Sequence, residues 1–220
     1  MSLQSIIYKM TNARHHFELV GSLVQRFYES NHGQPNLIDS QVPPQIGLAC
    51  GDCLQNMRST LDYLVWELVL ANGCQPKTKH MFPIALTEDQ YRRDVDHKLA
   101  GVHPRAAMYV EAMQPFLLAN PKDSPLYVLD ELTNLNKHRN PLKTVLCCYS
   151  EVEPIVPQPH MRAIKRLPIA GAEAFKEIPI WLWIGVADDS AINMEVITLL
   201  DTLAQYLGNE VLPLFKQFLD

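Results

Sequence analysis

Apolar residues recur every three or four positions through most of this chain, the spacing of helices that press one face into a core. From residue 3 to about residue 30, Ile6, Ile7, Met10, Ala13, Phe17, Val20, Val24 and Phe27 keep that spacing and predict a first amphipathic helix. Asn31, His32, Gly33, Gln34 and Pro35 form its stop, with Gly33 suited to the left-handed cap conformation. A linker with Pro35, Pro43 and Pro44 follows. From about residue 45 to residue 71 the pattern resumes, with Leu54, Met57, Leu61, Leu64, Val65 and Leu68 on one stripe, and Asn72-Gly73 ends it. At 1.5 Å per residue this second helix is about 40 Å long, the length of a bundle spine.

Shorter helices follow. Thr87-Glu88-Asp89-Gln90 has N-cap and first-turn chemistry for a helix through residue 99. His103-Pro104 precedes a helix over residues 105–113, and residues 126–139 form another with Leu126, Leu129, Leu132 and Leu135 inward. At Asn140-Pro141 the chain turns rich in Pro, β-branched and aromatic residues, with candidate strands at 143–149, 161–167 and 178–186. Residues 190–207 and 210–219 predict a final helix, bent or broken near Gly208 and Pro213. The expected fold is mainly α: a single domain over 1–220, with a helical bundle core (1–140), a small antiparallel β insertion (141–189) and a C-terminal helix (190–220) packed on the bundle.

Composition narrows the function classes. With 220 residues, 47% hydrophobic and 20% charged, the chain can bury a sizeable core. A net charge of −5 argues against broad, nonspecific nucleic-acid binding, which needs a basic surface. The longest apolar runs, such as 178–186, fall short of the roughly 20 residues of a membrane span. No basic start leads into an apolar stretch, so no signal peptide is visible and a cytoplasmic location is expected. Five cysteines, an odd number, fit a reduced compartment better than a disulfide scaffold.

Beside the apolar stripe of the second helix run Asp52, Asn56, Arg58, Ser59 and Asp62. Solubility alone would use interchangeable Lys and Glu there; these short hydrogen-bonding groups suggest a specified network, which either fixes helix packing or forms a site. A second cluster, Asn136, Lys137, His138 and Arg139, lies at a helix C-terminus. The macrodipole favours cations there. Alternatively His138 and Arg139 join Arg58 as an anion site, with an imidazole able to carry a proton near neutrality. Cys50-Gly51-Asp52-Cys53 lies inside a helix with no strand before it, which suits buried structural thiols rather than a redox pair. His15 and His16 could meet Asp52 and hold a metal, but no Glu-x-x-His pair accompanies them, so no metal or cofactor is expected.

Gly51-Asp52-x-Leu54-x-Asn56-x-Arg58-Ser59-x-Leu61-Asp62-x-Leu64-Val65-Trp66, followed by Leu135-Asn136-Lys137-His138-Arg139, resembles an uncharacterised family of bacterial proteins. Phe82-Pro83-Ile84 and Gln114-Pro115-Phe116 fit the same family. More distantly, the chain is similar to the HEPN superfamily of helical domains, which includes ribonuclease toxins and nucleotide-binding modules. Many of its nucleases carry Arg, four to six residues, then His on one helix, often completed across a dimer. Arg58 fits the Arg; Tyr63 stands where the His would be, and Gln55 replaces another family His. Tyrosine, with a reference pKa of about 10, is a poor general base at neutral pH.

The resemblance therefore implies an RNA- or nucleotide-binding module, or a degenerate ribonuclease, working as a homodimer. Arg58 and Arg139 would hold phosphate, Asp62 would orient Arg58 and His138 would be the proton carrier. Asp52, Asn56, Tyr63, Asn136 and Lys137 complete the expected ligand set. The alternative is a non-enzymatic protein-interaction module whose polar motifs are structural. A metal-dependent bundle hydrolase using His15, His16 and Asp52 ranks third.

Overall fold

In the computed structural model, which describes residues 4–30, 41–138, 142–150, 162–164, 180–186 and 195–219, the first long periodic stretch is α1 (Gln4–Ser30) and the second α2 (Pro44–Ala71). Pro44 opens α2 because a first-turn residue needs no N–H partner and the proline ring presets its φ. The two helices run antiparallel. Ser5 Oγ donates to Glu67 Oε1 at 2.7 Å, and the Cys53 thiol donates to the Ala13 carbonyl at 3.2 Å. Helix α2 is the spine: Ile46, Cys50, Leu54, Met57, Leu61, Leu64, Val65 and Leu68 are all buried, on more than one side of the helix.

Helix α5 (Pro125–His138) packs antiparallel to α2 on a different side, since Arg58 meets Asp130 while Gly51 meets Asn136 further back. The approach there needs glycine. A Cβ on Gly51 would lie 2.5 Å from Asn136 Oδ1, and one on Gly47 would run into the Leu142 carbonyl. Between α2 and α5 come α3 (Glu88–Lys98), α4 (Pro104–Ala112) and two 3-10 turns, Pro115–Leu117 and Pro121–Asp123. Thr87 caps α3 by accepting from Gln90 N–H at 3.2 Å, while Gln90 Oε1 accepts from Leu86 N–H at 3.1 Å. His103 Nδ1 caps α4 from Arg105 N–H.

The chain ends in α6 (Val196–Gln205), a π-helical turn (Tyr206–Val211) and α7 (Leu212–Leu219). Buried Glu195 opens α6, its carboxylate accepting from Ile197 N–H at 3.0 Å and Thr198 N–H at 2.7 Å. The expected break near Gly208 and Pro213 is instead a change of pitch. Pro213 has no N–H and its ring would collide with the carbonyl four residues back. The wider turn just before it, where Leu212 N–H reaches the Leu207 carbonyl, relieves that conflict within one continuous helical path.

The fold is thus mainly helical. Three short segments, β1 (Thr144–Ser150), β2 (Arg162–Ile164) and β3 (Ile180–Val186), pair antiparallel in the order β1-β3-β2, with Thr144 opposite Val186 and Arg162 opposite Leu182. Among the described residues no helix is long and apolar enough to cross a membrane. One inward assignment is corrected: Ile7 is exposed, because it lies about 100° around α1 from Ile6 and so off the buried stripe of Ile6, Ala13, Val20 and Phe27. The stop at Asn31–Pro35 and the break at Asn140-Pro141 lie outside the described residues.

Candidate functional site

The segment Phe82 to Ala85 follows α2 without joining a helix or strand, yet Phe82 and Ala85 are buried. Buried backbone amides and carbonyls must find partners, and here side chains supply them. Phe82 N–H donates to Asp62 Oδ1 at 3.0 Å, and the Phe82 carbonyl accepts from Arg58 Nη2 at 3.0 Å. Ala85 N–H donates to Gln114 Oε1 at 3.0 Å, while Gln114 Nε2 donates to the Pro83 carbonyl at 2.9 Å and the Val110 carbonyl at 3.0 Å. Gln114 is itself buried, so its amide is consumed in the clamp.

Arg58 sits at the centre of this network and is 8% exposed. Nη1 donates to Asp62 Oδ1 at 2.6 Å, one helical turn along α2, and Nε donates to Asp130 Oδ1 on α5 at 3.0 Å. Asp130 is in turn held by Asn134 Nδ2 at 3.1 Å. All three guanidinium nitrogens are therefore engaged by α2, α5 and the Phe82 segment. A buried cation with two carboxylates and a carbonyl is satisfied within the fold, and the charge it meets is already overbalanced.

The other expected ligand residues are dispersed. Asp52 is exposed and Asn56 is spent on its own helix, Nδ2 donating to the Asp52 carbonyl at 2.8 Å. Gln55 Nε2 donates to Ser59 Oγ at 3.3 Å. Tyr63 is exposed, with Lys9 Nζ of α1 lying 5.6 Å from its ring centroid. Asn136 packs on Gly51. Lys137 and His138 close α5, where their side chains, with the whole of Arg139, lie outside the described residues. Eight residues of α5 separate Asp130, which holds Arg58, from His138, about 12 Å along the axis. The backbone of His138 thus stands about two turns along α5 from the level at which Asp130 meets Arg58 of α2.

Cys50 and Cys53 are buried. Burial, with the neighbouring Cys53 second, drives the Cys50 thiol far up, and burial pushes Cys53 up to about 12 against a hydrogen bond from the Phe17 backbone. Neither is a thiolate at neutral pH, so the C-x-x-C is packing. The His15 and His16 rings lie 5.9 Å apart, and His16 Nδ1 is buried without a hydrogen-bond partner. Among the described residues no three His, Cys, Asp or Glu are grouped to hold a metal, so His15, His16 and Asp52 are not gathered into one.

Two residues of the network, Asp130 and Gln114, were not among the expected site residues. Gln114 stands in the Gln114-Pro115-Phe116 motif, a signal that was available; Asp130 meets Arg58 across 72 positions of sequence and carries none. No family model, curated protein or solved structure matches the chain, so the geometry of the site bears the functional reading.

Proposed function

We propose that the chain is a non-enzymatic, cytoplasmic protein-interaction module in which the Arg58 motif is internal scaffold and the open side of α1 and α2 binds the partner. The observation that carries this reading is the engagement of Arg58 by the fold: each of its three guanidinium nitrogens already donates to a group of the protein. The charge around it points the same way. Two carboxylates, Asp62 and Asp130, face the one guanidinium there, and Lys9 is the cation placed over Tyr63. Phosphate chemistry needs the opposite balance. On this reading the bundle is HEPN-like in build, with residues 141–189 a small β insertion, and Tyr63 is a surface aromatic rather than a failed base.

Fluorescence anisotropy with a labelled single-stranded RNA and with a labelled adenine nucleotide tests it. We expect no saturable binding at micromolar protein. Saturable binding that Arg58→Lys abolishes while leaving the melting temperature unchanged would overturn the proposal in favour of a nucleotide site.

A further inference from the structure

Among the described residues, a groove runs between α1 and the C-terminal helices. Ile6, Met10 and Phe17 of α1 form one wall, Ala204 of α6 and Leu212 of α7 the other, and Met57 of α2, buried beneath them, the floor. None of the groups that hold Arg58 lines it. Its volume is about 470 Å³, within the range of small-molecule sites, and its lining is overwhelmingly apolar. Met10 and Met57 have flexible, polarisable side chains that adapt to an apolar guest.

The dimensions decide what fits. From Ile6 to Phe17 the groove follows α1 for about 16 Å, at a rise of 1.5 Å per residue, and the opposite wall from Asp201 to Leu212 spans as many residues. Spread over that length, 470 Å³ leaves a channel of about 29 Å², or roughly 6 Å across. An α-helix with its side chains is about 10–12 Å thick and does not enter; a single alkyl chain, whose non-bonded neighbours stand about 4 Å away, does. Two charged groups belong to the lining, Arg14 and Asp201. Arg14 is already compensated, its Nε donating to Glu18 Oε1 at 3.0 Å. Asp201 is half-buried, and among the described residues its carboxylate meets only the neutral Gln205 amide, at 2.8 Å. An apolar channel with one uncompensated carboxylate at its end calls for an apolar chain with a cationic head. We infer that the groove binds a long-chain amine, its unbranched alkyl tail lying along α1 and its ammonium meeting Asp201. A zigzag carbon chain advances about 1.25 Å per carbon, so the channel holds about twelve carbons.

Isothermal titration calorimetry of the full chain with primary alkylamines of eight, ten, twelve and fourteen carbons, each below its micelle threshold, tests the inference. Affinity should rise about two- to fourfold per methylene up to about twelve carbons and then level off, because further methylenes leave the channel. Dodecanoate, the same tail with the opposite head charge, should bind at least about tenfold more weakly than dodecylamine. Asp201→Asn keeps an acceptor for Gln205 and should abolish that preference. Ile7→Lys places a cation on the exposed groove wall, outside the core, and should weaken dodecylamine at least about tenfold with an unchanged melting temperature. The inference is overturned if dodecylamine shows no saturable binding, if affinity keeps climbing past twelve carbons, if dodecanoate binds equally well, or if both substitutions leave binding unchanged. A groove that takes an amphipathic peptide but not dodecylamine overturns it too. The site goes beyond the interaction-module reading: RNA or nucleotide binding would remove that reading and leave this site standing.

Discussion

Replacing Arg58 with methionine keeps most of the aliphatic stem and removes the guanidinium. Three bonds are lost: to Asp130 at 3.0 Å, to Asp62 at 2.6 Å and to the Phe82 carbonyl at 3.0 Å. The three do not count equally. Asp130 and Asp62 keep 30% and 39% of their side chains in water, so solvent takes over much of what they lose. The Phe82 carbonyl belongs to a buried residue and faces the arginine; orphaning such a group costs about 1–3 kcal/mol. With a reduced share for the two ion pairs, the loss comes to about 3 kcal/mol. For a chain of this size that is roughly 10 °C in melting temperature. Urea unfolding followed by circular dichroism measures it, with the midpoint falling at unchanged slope. Arg58→Lys should recover part of the loss, because one ammonium can reach one or two of the three acceptors but not all. A loss below about 1 kcal/mol for Arg58→Met would refute the scaffold role and return Arg58 to the list of ligand-binding groups.

Three further outcomes follow from particular contacts. Gly47→Ala should destabilise by about 1–3 kcal/mol despite alanine's better helix propensity, because its methyl meets the rigid Leu142 backbone, whereas Gly21→Ala on α1, with nothing nearby, should stabilise by up to about 1 kcal/mol; thermal unfolding of the pair checks both signs. Alkaline stability should fall through Cys53. Its folded pKa is raised from 9.0 to about 12, so above about pH 9 the unfolded chain releases a proton the native state retains, and stability declines from there to about pH 12. Cys53→Ala should lessen that slope. Brief alkylation at mildly alkaline pH with peptide mapping should label exposed Cys74 and spare Cys50 and Cys53; prompt labelling of either buried thiol would count against their packing role.

The helices were legible because period and punctuation agreed. The Ile6–Ala13–Val20–Phe27 row, Thr87 before α3 and Asn72-Gly73 after α2 each placed an element within a residue or two, while Pro44, read as linker, opens α2. The polar motif was legible as a network but not in its purpose. Arg58 and Asp62 announce a pair one turn apart, yet the acceptors that decide the matter, Asp130 and the Phe82 carbonyl, come from elements brought near only by folding. The pitch change at Tyr206–Val211 was likewise hidden: Gly208 and Pro213 signalled a disturbance, and only the packed helix shows that an extra residue per turn absorbs it. Residue type also misled at Ile7, whose spacing is that of the core while its side chain stands exposed at a groove it lines with Met10, Phe17 and Leu212.

The most direct test of the central claim is a double-mutant cycle on stability between Arg58→Met and Asp130→Asn. The account predicts that the two losses overlap, with an interaction energy of at least about 1 kcal/mol, because one bond between α2 and α5 is removed by either change. Losses that add to within about 0.5 kcal/mol would show that Arg58 does not hold α5 to the spine, and would contradict the account.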